Sequence, residues 1–147
     1  AAHPAIQSGR ATGTRPRGDM ELTASLQERF ESVRQQVNTN RRLVHRGRYL
    51  TAHIKVFIGT AAYLVDIRNG EIHCINARPP LFAAADLVIR ATEEAWAALW
   101  EKPPRPGWHD IFALAKRGAM GIEGDSQLFF AHLQYLKDVL SAPASAQ

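Results

Sequence analysis

The chain has 147 residues, of which 46% are hydrophobic and 22% are charged, and its formal net charge is +4. This balance is typical of one globular domain with a buried core, and it excludes a largely disordered chain. No apolar run approaches the roughly 18 residues of a membrane span, and the N-terminus lacks the apolar core of a secretory signal, so we expect a cytoplasmic protein. The single Cys74 excludes an internal disulfide.

Residues 1–19 show no hydrophobic periodicity and are rich in Gly, Pro and Thr, which predicts a disordered leader or a non-native addition. We expect a single domain over residues 20–142 and a short tail over residues 143–147. At the start of the domain, apolar residues recur every three or four positions across residues 21–38. That spacing predicts one amphipathic helix.

Three strands are predicted next, over residues 49–58, 61–68 and 71–77. Gly59-Thr60 and Asn69-Gly70 separate them as two-residue hairpin turns, and Pro79 and Pro80 end the meander because proline cannot donate to a sheet ladder. Alternation assigns one face of these strands to the core. The residues on this face are Leu50, Ile54, Val56, Ile58, Tyr63, Val65, Ile67, Ile72 and Cys74.

A fourth strand from Asp86 leads into a helix that Thr92 is expected to cap. Trp96 and Trp100 form an apolar stripe on this helix, which is typical of a core and less often of a ligand cage. A Pro-rich loop over residues 103–107 then precedes a helix for which Asp110 is the expected cap.

The segment from Gly118 to Asp125 predicts a short strand between two helices. Gly118 is typical of a helix stop, Met120 and Ile122 alternate with small or polar residues, and Asp125 is a typical N-cap. A strongly apolar final helix follows. The chain as a whole is therefore predicted to be an α+β domain with five strands and four main helices.

The segment from Gly118 to Asp125, with the apolar helix after it, resembles the closing segment of the type-two sterol carrier protein family. The Asp86 strand that runs into the Trp96 helix resembles a second segment, and the resemblance covers residues 48–140. It implies a five-stranded sheet with helices covering one face and an apolar tunnel, in a bacterial-type stand-alone member. It also implies that the ligand is a fatty acyl chain, an acyl thioester or a sterol-like lipid.

The predicted lining of this tunnel follows from polarity and helical periodicity. It comprises Phe112, Met120, Phe129, His132, Leu133 and Leu136. His132 falls within the apolar arc of the last helix, where it could bind the polar group of a ligand, act as an acid or base, or be a neutral histidine satisfied by a backbone carbonyl. Phe130 falls on the polar side, which predicts an exposed contact, a tunnel mouth or a dimer interface.

Two-residue turns would align three titratable side chains across the meander. His53 would lie opposite Asp66, and Asp66 opposite His73. This row could orient a general base or bind a metal, although its charged neighbours favour a solvent-facing sheet surface. No zinc spacing, Walker motif, dinucleotide fingerprint or Gly-x-Ser-x-Gly sequence occurs, so we expect neither a cofactor nor a metal.

A basic cluster precedes the first strand. Arg41, Arg42, Arg46 and Arg48 surround His45. They predict either a solvated connection or a patch for anionic lipid head groups or the phosphates of a thioester carrier. No aromatic-rich basic strand accompanies them, so no nucleic-acid partner is expected.

Three functions remain open from the sequence. The favoured one is binding or transfer of a hydrophobic small molecule. The second is an enzyme that acts on such a molecule, with His132 or the His53–Asp66 pair as the acid or base. The third is a dimeric accessory module whose apolar surface is a protein interface.

Overall fold

The computed structural model describes residues 17–80, 82–101, 114–115 and 118–145. The strands in these ranges are β1 (Ala52–Ile58), β2 (Ala61–Arg68), β3 (Glu71–Asn76), β4 (Leu87–Ala91) and β5 (Met120–Gly124). The helices are α1 (Arg17–Glu31), α2 (Val33–Thr39), α3 (Arg41–Arg46), α4 (Glu93–Leu99), α5 (Ser126–Ala131), α6 (Leu133–Leu140) and α7 (Ala142–Ser145). None of the described helices is both long and apolar enough to cross a membrane.

The five strands form one mixed sheet in the order β3-β2-β1-β4-β5. Strands β1 and β4 are parallel, and the other neighbours are antiparallel. Both hairpin turns are confirmed. Gly59 has a φ of 63°, while Asn69 and Gly70 have φ values of 52° and 83°, which are typical of the Asn-Gly turn between twisted strands. The predicted α+β class with five strands is therefore confirmed.

Residues 21–38 are helical as predicted, except that a single turn residue, Ser32, separates α1 from α2. Helix α1 begins at Arg17, so it extends into the predicted leader, and α7 lies largely in the predicted tail. Helix α3 was not predicted. Its start depends on Asn40, whose Oδ1 accepts a hydrogen bond from the Leu43 backbone N–H at 3.2 Å.

The predicted inner face of the meander is buried with one exception. Cys74 is exposed, because the register of β2 and β3 shifts between Asp66 and Ile67. Ile67 lies opposite Ile72, and the next pair is Asp66 and Cys74, so the residue between them is inserted as a bulge. The bulge moves Cys74 from the core face of the strand to the solvent face.

The segment from Gly118 to Asp125 folds as predicted. Gly118 has a φ of 79°, and the Asp125 Oδ1 accepts a hydrogen bond from the Leu128 N–H at 3.0 Å. Gly124 has a φ of 112°, and a Cβ there would lie 2.5 Å from the Asp86 carbonyl oxygen. Only glycine therefore fits this position. The last helix is less regular than predicted, because α5 and α6 meet at a turn residue, His132.

The Tyr135 side chain links α6 to the turn between β2 and β3. Its hydroxyl donates a buried hydrogen bond to the Gly70 carbonyl oxygen at 2.7 Å. Its ring occupies the space where a side chain at Gly47 would lie, and a Cβ at Gly70 would meet the backbone of α3 at Val44. Burial, followed by the negative charge of Glu71, raises the pKa of the Tyr135 phenol, so the neutral donor is retained.

Replacing Tyr135 with Phe removes the donor and leaves the Gly70 carbonyl oxygen buried without it. We expect the free energy of unfolding to fall by about 1–3 kcal/mol, measured by urea denaturation. The matched control is Tyr63→Phe, since Tyr63 is equally buried and no described residue bonds its hydroxyl. Equal losses in both variants would contradict the assigned role of the Tyr135 hydroxyl.

Candidate ligand-binding site

A cavity of about 10 Å³ lies between the sheet and helices α1, α2 and α6, and its described lining is entirely apolar. Its lining consists of Phe30, Val33, Ile54, Val56, Val65, Ile67, Ile89, Leu136, Val139 and Leu140. A cavity of this size holds at most about one water molecule, so the side chains almost fill the interior.

The structure brings part of the predicted tunnel lining into this core. Leu136 lines the cavity, and Met120 and Phe129 are buried in the same apolar cluster. Leu133 is half-buried and packs against the cluster. Phe112 lies outside the described residues. Whether these side chains contact a ligand stays a prediction.

One edge of the core is less completely covered. Ile122 on β5, Leu128 on α5 and Leu133 on α6 are apolar but only partly buried. His132 lies at the same edge, half-buried, where α5 and α6 meet. Its backbone continues the helical pattern, because its N–H donates to the Leu128 carbonyl oxygen at 3.2 Å. Apolar side chains that pack against the core are therefore partly exposed at the α5–α6 junction.

Two tryptophans fill the opposite end of the core. Their burial agrees with the predicted core role of the apolar stripe that they form. Trp96 and Trp100 are fully buried, with ring centroids 5.3 Å apart. The Trp96 indole N–H donates to the Phe57 carbonyl oxygen at 2.9 Å, and that of Trp100 donates to the Leu140 carbonyl oxygen at 2.7 Å. The Arg29 guanidinium lies 5.5 Å from the Trp100 ring centroid, and burial lowers its pKa. These polar contacts fix α4 against the sheet and α6.

The predicted row of titratable side chains is confirmed only in part. His53 lies opposite Asp66, with the His53 Nε2 3.6 Å from the Asp66 Oδ1. The Asp66 Oδ2 accepts a hydrogen bond from Arg68 at 3.0 Å. The placement of His73 opposite Asp66 is wrong, because the β-bulge puts Cys74 there. The row lies on the open face of the sheet, so it does not face the apolar cavity.

Metal binding has no geometric support in the part of the chain that the structure describes. No group of three or more His, Cys, Asp or Glu side chains is arranged there to hold an ion. The Asp66 carboxylate of the His53–Asp66 pair is also paired with Arg68.

Four residues of the predicted basic cluster line one open concavity on the surface of α3, namely Arg41, Arg42, His45 and Arg46. Arg41 also pairs with Glu71 at 3.3 Å, and the Arg48 guanidinium lies 4.6 Å from the ring centroid of the exposed Tyr49. Arg42 and Arg46 in addition line a polar groove between α3 and α6. Sequence analysis missed this groove, although the four-residue spacing of the two arginines was a signal of a shared helix face. The anionic lipid surface stays a prediction.

Neither a protein-family model nor a curated protein sequence matches the chain. Solved structures do. A solution structure from Thermus thermophilus, described as a conserved hypothetical protein that is possibly a sterol carrier protein, has a TM-score of 0.64 at 14% identity and covers 80% of this chain and 85% of its own. A crystal structure of sterol carrier protein 2 has a TM-score of 0.63 at 14% identity, and the match covers 80% of this chain and 94% of that structure's chain.

The chain has the sterol carrier protein 2 fold. A further structure with this fold, described as a UbiJ-SCP2 ubiquinone synthesis protein, has a TM-score of 0.51 at 14% identity and covers 91% of this chain and 98% of its own. The resemblance inferred from the Gly118–Asp125 segment is thus confirmed at the level of the fold. In this sterol carrier fold the described interior is closed around a small apolar cavity.

Replacing Leu136 with Ala removes part of the cavity wall without adding a polar group. We expect the free energy of unfolding to fall by about 2–5 kcal/mol, because apolar contacts are lost and a larger empty space remains. Leu133→Ala is the control. Because Leu133 is only half-buried, this variant should lose less free energy of unfolding. Urea denaturation measures both. A larger loss for Leu133→Ala would contradict the assignment of Leu136 to the interior wall.

Proposed function

We propose that this protein binds a hydrophobic small molecule in the interior between the sheet and helices α1, α2 and α6. The observation that carries the proposal is the cavity wall, which is made entirely of apolar side chains in a chain with the sterol carrier protein 2 fold. Ligand classes that suit such a wall are a fatty acyl chain, an acyl thioester and a sterol-like lipid. Binding would be driven by burial of apolar surface, at roughly 25 cal/mol per Å².

The size of the cavity sets a condition on this function. Small-molecule pockets typically measure roughly 300–1,000 Å³, whereas the described cavity measures about 10 Å³. A ligand must therefore bind a second conformation in which the interior is wider, and its affinity is reduced by the free energy of opening. We propose that the opening lies at the α5–α6 junction, because Leu128 and Leu133 there are already partly exposed.

The apolar wall of the cavity also bears on which ligands the protein would select. A lining with no hydrogen-bonding side chain distinguishes ligands by size and shape and only weakly by functional group. His132 is the nearest predicted polar lining residue, at the junction through which a ligand would enter. It is suited to bind one polar group of an otherwise apolar ligand. We accordingly propose broad rather than narrow selectivity, with transfer between membranes or carriers as the biological role.

Met120→Lys tests the interior site, because it places a charge in a region with no partner for it. Gly121→Lys is the matched control, since the neighbouring position opens to free space. With a fluorescent fatty acid as the probe, we expect micromolar or tighter binding by the wild type and the Gly121 variant. Met120→Lys should weaken binding at least about tenfold.

Folding of these variants is checked by near-ultraviolet circular dichroism. Val139→Thr is a second variant in case Met120→Lys does not fold, because it keeps a side chain of nearly the same size and places a hydroxyl in the cavity wall. Folded Met120→Lys or Val139→Thr protein that binds the probe as tightly as the wild type would refute the interior site. Failure of the wild type to bind any apolar probe would refute the function.

His132→Leu separates a carrier from an enzyme. If His132 only lines the entrance, the variant should bind a wholly apolar probe as well as the wild type or better. If His132 is an acid or base, the variant should bind but lose turnover by roughly two to four orders of magnitude. The measurement is native mass spectrometry of the ligand that co-purifies, before and after incubation. An unchanged ligand agrees with the proposed carrier function, and conversion that disappears in His132→Leu contradicts it.

A further inference from the structure

A polar groove lies on the outer side of α6, away from the apolar cavity. It measures about 330 Å³, which is within the range of small-molecule sites of roughly 300–1,000 Å³. Helices α2 and α3 form one wall, and the end of α6 with the start of α7 forms the other. Its polar lining residues are Gln36, Asn40, Arg42, Arg46, Asp138 and Ser141.

Two guanidinium groups give the groove a positive charge. Arg42 and Arg46 are four residues apart on α3, so both project from the same side of that helix. Arg46 forms an ion pair with Asp138, whereas no carboxylate of the described residues pairs with Arg42. Two positive groups against one carboxylate leave one positive charge unbalanced in the groove.

Neutral hydrogen-bonding side chains line the groove beside the two arginines. Asn40 uses only its Oδ1 to cap α3, so its NH2 group can donate to a ligand. Ser141 contributes a hydroxyl, which can donate or accept. A phosphate group has several acceptor oxygens and fits the planar donor fork of arginine, and neutral donors complete its hydrogen bonds. The lining thus matches phosphate better than an apolar group or a cation.

We propose that this groove binds the phosphate group of an anionic ligand, with Arg42 as the main contact and Arg46 shared between the ligand and Asp138. The phosphate belongs either to a small phosphorylated compound or to a lipid head group, and the recognising chemistry is the same in both. Leu43 and Ala142 provide an apolar floor that is part of the main core, which suits a ligand with an attached carbon chain. The site does not depend on occupation of the interior cavity.

Isothermal titration calorimetry tests the proposal with inorganic pyrophosphate and, separately, with monomeric lysophosphatidic acid. Arg42→Gln should weaken binding by about tenfold to a hundredfold, because a charge-assisted hydrogen bond is lost. Arg48→Gln removes one positive charge outside the groove, so the affinity of this variant for either compound should change by about twofold or less in physiological salt. Asp138→Asn should strengthen binding severalfold, because it frees Arg46 and removes a repelling carboxylate.

A steric variant completes the experiment. Ser141→Phe leaves the charge unchanged and fills part of the groove, so it should also weaken binding. Binding of pyrophosphate with these sensitivities assigns the groove to phosphate compounds in general, and binding of lysophosphatidic acid alone with the same sensitivities assigns it to lipid head groups. Equal losses in Arg42→Gln and Arg48→Gln, unchanged affinity in Ser141→Phe, or no binding of either compound would overturn the proposal. These outcomes are independent of fatty-acid binding by the interior.

Discussion

The hydrogen bond from the Tyr135 hydroxyl to the Gly70 carbonyl oxygen is the constraint on which the arrangement of the layers depends. It fixes α6 over the β2–β3 turn, and the close approach is possible only because Gly47 and Gly70 have no side chains. A buried carbonyl oxygen without a donor is costly, so sliding α6 along the sheet would sacrifice this bond. The position of α6 in turn sets the distance between the sheet and the helices, and therefore the width of the interior.

Helix α6 separates two environments of different chemistry. Leu136, Val139 and Leu140 face the apolar cavity, while Asp138 contributes to the polar groove on the outer side. The two surfaces thus belong to different sides of one helix. The open face of the sheet, with the His53–Asp66 pair, is remote from both. Both proposed sites thus involve the helical layer.

Local rules correctly predicted much of the fold. The Asn69-Gly70 turn requires positive φ angles, which Gly and Asn adopt readily, and the hairpin formed where expected. Asp125 and Thr92 cap their helices because the stabilising bond joins residues three positions apart. Errors occurred where a single residue interrupts a regular pattern. Ser32 divides the first helix, and His132 marks the meeting of α5 and α6.

The sequence by itself determined the strands, the hairpin turns, the helix caps at Thr92 and Asp125 and the apolar character of the interior, because these depend on neighbouring residues and on hydrophobic periodicity. Only the tertiary structure decided the bulge that places Cys74 opposite Asp66, the near closure of the cavity around Leu136, and the pairing of Arg46 with Asp138. Each of these joins residues distant in the chain. Their geometry depends on how whole elements pack, which local periodicity does not specify.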